Sequence, residues 1–147
     1  MDKNDLYRKE LLNLLALCKQ IEDALAKLKD DFLTHKEEKL VSAINSVNSR
    51  DINLFKKSVS DNNYNLGNTK DSVAEEILKN IIESSRENIE SVVKGQGVLA
   101  SLNRLLNYKI ANLENVKQMK IAPSIPYIEQ ALSSNKTLKK QIFDSIT

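Results

Sequence analysis

Turn-forming residues are scarce in this chain: three glycines and two prolines among 147 residues, with no tryptophan. A β-sandwich or barrel needs turn signals about every 8 to 12 positions, so so few of them point to helices. The single cysteine, Cys18, excludes an intramolecular disulfide and any multi-cysteine zinc site. The single histidine, His35, excludes a histidine-rich metal site, a His/Cys deaminase site and a di-iron bundle with paired Glu-x-x-His motifs within one chain. No G-x-x-x-x-G-K-[ST] and no strand-borne G-x-G-x-x-G occurs, and "GQG" at Gly95 to Gly97 lies between helical patterns. No apolar run approaches the length of a membrane span. The apolar stretch Leu11 to Cys18 resembles a secretory signal only superficially. Asn13 interrupts it, Asp2, Asp5 and Glu10 precede it, and Leu17 stands where a cleavage site wants a small residue. A cytoplasmic protein is expected.

Chemistry-bearing residues are equally few. A Cys-His pair would need Cys18 as nucleophile, but its register makes it a packing residue, and burial raises a thiol's pKa. Glu75, Glu76, Glu83, Glu87 and Glu90 read as the wet face of one helix. No catalytic, cofactor-binding or metal-binding residue is assigned, no cofactor is expected, and the chain reads as a non-enzyme.

What is present is amphipathic helix. The apolar fraction of 41% and charged fraction of 29% are those of a folded chain, and the length suits one domain, residues 1–147. Tyr7, Leu11, Leu14, Cys18, Ile21, Leu25, Leu28 and Phe32 follow at alternating spacings of four and three, a heptad seam. The seam predicts a helix over about 4–33, widened by Leu12, Leu15 and Leu17. Thr34 to Glu37 has the form of a capping box and predicts a second helix to about Asn48 with Leu40, Ile44 and Val47 inward. A continuous helix over 4–48 is the alternative. Asn48, Ser49 or Asp51 then offer caps for a short helix carrying Ile52, Phe55 and Val59. Residues 60–72, rich in asparagine, form a loop, and Ser72 to Glu75 reads as another capping box.

Lys94 and Gly95 make a good helix end, so two helices, 72–94 and 97–119, are expected as a hairpin. The alternative keeps both glycines inside one long helix, at about 1 kcal/mol each. "IAPSIPYIEQAL" reads as a rigid corner, with a helix ending near Lys120, another starting at Ser124 or Ile125, and Pro126 in its first turn. Residues 121–147 are thus an amphipathic C-terminal helix, semi-independent if it stands free, with a break at "SSNK" as an option.

The fold expected is all-α: an antiparallel helical bundle of four to six helices with a long N-terminal heptad helix. Function then rests on helical surfaces. The leading reading is a protein-binding bundle of adaptor, export-chaperone or inhibitor type, engaging another protein through apolar helical surfaces. The candidate partner-binding residues are Tyr127, Ile128, Leu132, Leu138, Ile142, Lys139 and Lys140. A homo-oligomer paired through the helix 1 seam is the alternative. Residues 94–147 carry eight basic and three acidic side chains, net +5, against 14 and 17, net −3, before them. That asymmetry allows a nucleic-acid-binding accessory protein, disfavoured because the basic residues lie among few aromatics. No membrane partner is expected.

Overall fold

The computed structural model describes residues 1–67, 69–121 and 124–146, with the side chains of residues 143, 145 and 146 outside the description. Among the described residues there are five helices: α1 Lys3–Lys27, α2 His35–Asp61, α3 Ser72–Ser85, α4 Ser91–Gln118 and α5 Ile125–Ile146. The all-α bundle is as expected. Each long helix buries one apolar stripe, and together the stripes make one core from Tyr7 to Ile142.

Contacts between helices fix the topology. Tyr7 reaches Ser58 and Asn48 reaches the Cys18 carbonyl, so α1 and α2 are antiparallel. Ser58 meets Ser124, and Asp51 meets Asn135, so α2 and α5 are antiparallel too. Gly95 lies against Glu37, and Lys109 against Asp51, which makes α2 and α4 parallel. The four long helices therefore close a ring in the order α1, α2, α5, α4, with α2 and α4 facing each other across the middle. Two parallel helices cannot be joined by a short turn. The crossover from α2 to α4 runs back along the bundle and includes α3, which packs on α1 and α4.

Local chemistry sets the helix ends. Asp2 and Asp5 form a capping box at α1, and Thr34 and Glu37 form the expected one at α2. Helix α1 stops at Lys27, earlier than its seam. Leu28 and Phe32 still pack on the core, from an extended connection that must turn the chain back. Helix α2 runs unbroken through Asn48 and Asp51 rather than restarting there, because these side chains point inward to partners on other helices and cap nothing. The α3 cap is Asp71, one residue before the expected Ser72.

The hairpin turn is also displaced. The chain leaves α3 at Arg86 and re-enters helix at Ser91, so Gly95 and Gly97 lie inside α4. Gly95 is there for space: a Cβ on it would stand 2.7 Å from Oε1 and 2.9 Å from Oε2 of Glu37. Helix α5 begins at Ile125 as expected, continues without a break through Ser133 to Lys136, and packs on α2 and α4. Ala122 and Pro123, half of the expected corner, lie outside the described residues.

Candidate functional site

The middle of the bundle is polar. Lys109 of α4 and Asp51 of α2 are 1% and 0% exposed and form an ion pair at 2.7 Å. Lys109 Nζ also reaches Asn48 Oδ1 at 3.3 Å, and Asn48 Nδ2 donates to the Cys18 carbonyl at 2.7 Å. Asn135 of α5, fully buried, donates through Nδ2 to Asp51 Oδ2 at 2.8 Å and to the Ala131 carbonyl at 2.7 Å. One polar centre thus draws on all four long helices. Burial pushes the Cys18 thiol up to about 11, against the pull of the neighbouring Lys109 ammonium. Neither the thiol nor the ammonium is open to solvent, so the centre as folded offers no group to an outside substrate.

The sequence reading missed this centre, although a signal was present. Lys109 continues the spacing Leu99, Leu102, Leu106, 109, Leu113, Val116, and Asn135 continues Ile128, Ala131, 135, Leu138, Ile142. Asn48 and Asp51 likewise follow Leu40 and Ile44 and precede Phe55. All are polar residues at core positions of otherwise apolar stripes. Asn48 and Asp51 were explicable as caps and Asn135 as a break, which hid the stripes they complete. The asparagines that do stand out in α4, Asn103 and Asn107, are half-buried and exposed respectively.

A second polar hub pins the crossover. Asp71 accepts Asn13 Nδ2 at 2.7 Å, the Tyr108 hydroxyl at 2.8 Å and the Ala74 amide at 2.9 Å, while Gln20 holds its backbone. Burial, and then the bond to Asp71, push the Tyr108 hydroxyl above its usual range. At the other end of the bundle Tyr7, Ser58, Ser124 and Asn62 form a third network. Among the described residues no three His, Cys, Asp or Glu side chains gather as a metal-holding group.

The seven partner-binding candidates divide between inside and outside. Ile128, Leu132, Leu138 and Ile142 are core residues of the bundle, 0–6% exposed, so the expected apolar face of α5 is covered by α2 and α4. The expectation of an apolar docking face was tied to a free-standing helix, and in the folded bundle an amphipathic helix with two neighbours spends its stripe on them. Tyr127 is half-buried and donates to Asp61 at 3.1 Å, with Lys57 6.0 Å over its ring. Lys139 and Lys140 are exposed. Together with Lys136 they border an open cleft of about 520 Å³ against Ile110 and Glu114 of α4. On the other flank of α5, Lys36 and Lys39 of α2 border a cleft of about 430 Å³ with Gln141 and Asp144. None of these five lysines is in an ion pair among the described residues. The seam of α1 is likewise internal, with Tyr7, Leu11, Leu14, Cys18, Ile21 and Leu25 all buried.

Comparison with known proteins supports the fold. No protein-family model matches the sequence, and a search of curated proteins finds no match. Among solved structures, the chain is similar to the E. coli stress protein YciF, with a TM-score of 0.91 at 17% identity over 99% of this chain and 95% of that one. At that identity the likeness establishes a shared helical-bundle fold. Among the described residues no helix is long and apolar enough to cross a membrane.

Proposed function

We propose that the chain is a non-enzymatic, cytoplasmic protein-binding bundle of adaptor, export-chaperone or inhibitor type, and that it docks an acidic face of a partner protein along the outward side of α5. The observation that carries this reading is the set of five exposed lysines, Lys36, Lys39, Lys136, Lys139 and Lys140, flanking one helix without ion-pair partners among the described residues. The apolar stripes of α1 and α5 are used inside the bundle, which leaves charge as the resource for recognition on this side. A basic surface mainly accelerates association and selects the partner by sign.

Affinity capture from the native host, comparing the wild type with Lys136→Glu/Lys139→Glu/Lys140→Glu, tests it. The triple variant should lose its partners by about tenfold or more in affinity, while Lys27→Glu/Lys79→Glu, on the opposite flank, should keep them. Equal capture by the triple variant would refute the reading, and capture of nucleic acid with a steep salt dependence would replace it.

Self-assembly is the second reading, and its surface differs from the α1 seam. Ile89, Val92 and Val93, at the turn into α4, are 46%, 60% and 51% exposed. Light scattering on the wild type against Val92→Glu/Val93→Glu decides it: an oligomer that dissociates in the variant supports self-assembly, and a monomer in both excludes it.

A further inference from the structure

The polar centre ties together helices that apolar packing alone would leave free to slide. The stripes of α4 and α5 repeat at alternating spacings of three and four residues, and the buried positions on either side of Lys109 and Asn135 are apolar: Leu106 and Leu113 in α4, Ala131 and Leu138 in α5. Shifting such a stripe along its axis by three or four residues, about 5 Å, returns it to the same face. Apolar burial therefore distinguishes these registers weakly. The centre distinguishes them sharply, because Lys109 Nζ at 2.7 Å and Asn135 Nδ2 at 2.8 Å converge on a single atom, Asp51 Oδ2. A slip of α4 sets Leu106 or Leu113 against Asp51 and leaves two buried charges apart. A slip of α5 takes its amide away from the same oxygen. Helices α2 and α4 are diagonal in the ring, so the ion pair reaches across the core to set their relative height.

We infer that the Lys109–Asp51–Asn135 centre is a register lock, which fixes α4 and α5 against α2 and excludes bundles one helical turn out of step. Removing one partner of a buried ion pair leaves an uncompensated charge, whereas replacing the whole group by apolar side chains is often neutral or stabilising. Stability is therefore a poor account of the centre. Discrimination is a better one: a polar residue at a core position selects one alignment at some cost in stability, because every misaligned state must bury it unpaired. The other polar contacts between α2 and α5 discriminate less. Arg50–Ser134 and Asp61–Tyr127 are exposed, where water can replace either partner, and Ser58–Ser124 carries no charge. Asn48 extends the lock to α1. Its Oδ1 lies 3.3 Å from Lys109 Nζ, and its Nδ2 donates to the Cys18 carbonyl at 2.7 Å.

Spin-label distances read the register directly. In a Cys18→Ala background, labels at the exposed pairs Glu38→Cys/Gln130→Cys and Glu38→Cys/Glu114→Cys report the heights of α5 and α4 relative to α2. With the centre intact, one narrow distance is expected for each pair. In Lys109→Met/Asp51→Leu/Asn135→Leu the helical content should persist, while the distribution for at least one pair gains a component displaced by about 5 Å, one helical turn. A folded triple variant that keeps both single narrow distances would overturn the inference. Should the triple variant not fold, Asn135→Leu/Leu138→Asn moves the amide three residues along α5. The lock predicts that α5 then slides to restore its bond to Asp51, shifting the Glu38–Gln130 distance by about 5 Å. An unchanged distance, or loss of folding in this variant as well, would equally overturn the lock, since the centre would then set stability and not alignment.

Discussion

Lys109 sits where its stripe calls for leucine, and its ammonium is tolerable only because Asp51 faces it at 2.7 Å. Removing one partner leaves a naked charge in the core. Lys109→Met should therefore cost about 3–5 kcal/mol in denaturant unfolding, and the second change Asp51→Leu should return most of that loss. Cys18 follows from the same environment. Its thiol is pushed from an ordinary 9.0 to about 11 by burial, so the folded state holds its proton where the unfolded state releases it. The resulting stability is fully present below about pH 9 and is lost as pH rises through about 11, by about 3 kcal/mol at most. Unfolding free energies of the wild type and Cys18→Ala, compared across that window, should diverge. Iodoacetamide should label native Cys18 far more slowly than the unfolded chain.

At the scale of the helix, the two glycines of α4 make opposite predictions from the same residue type. Around Gly97 there is open space, so Gly97→Ala should stabilise by about 0.5–1 kcal/mol through helix propensity. At Gly95 a methyl group would meet the Glu37 carboxylate, whose Oε1 accepts the Thr34 amide at 2.8 Å. Displacing it disturbs a capping box worth about 1 kcal/mol. The propensity gain applies at both sites and the cap loss only at Gly95, so thermal melts should rank Gly97→Ala above Gly95→Ala by about 1 kcal/mol, with Gly95→Ala no more stable than the wild type. These glycines also show what could and could not be read beforehand. The α1 seam, the Thr34 box and the start of α5 were legible because spacing and capping are local. Gly95 looked like a helix end because its reason, the close approach of Glu37 58 residues away in sequence, is tertiary. The continuity of α2 was hidden likewise, since Asn48 and Asp51 serve Cys18 and Lys109 on other helices.

For the whole molecule, the decisive feature is that α5 belongs to the core. Its apolar stripe is covered by α2 and α4, and Asn135 joins it to the Lys109–Asp51 centre. The proposed docking therefore uses the outer, basic side of α5, where Lys136, Lys139 and Lys140 are exposed. Native-state amide hydrogen exchange tests this claim most directly, because cooperative units are resolved by their opening free energies. Amides of α5 from Ile128 to Ile142 should exchange with the slowest class, together with the centres of α2 and α4. Exchange of α5 orders of magnitude faster than a still-protected α1, α2 and α4 would contradict it. The C-terminal helix would then open on its own and expose the apolar face that the folded bundle conceals.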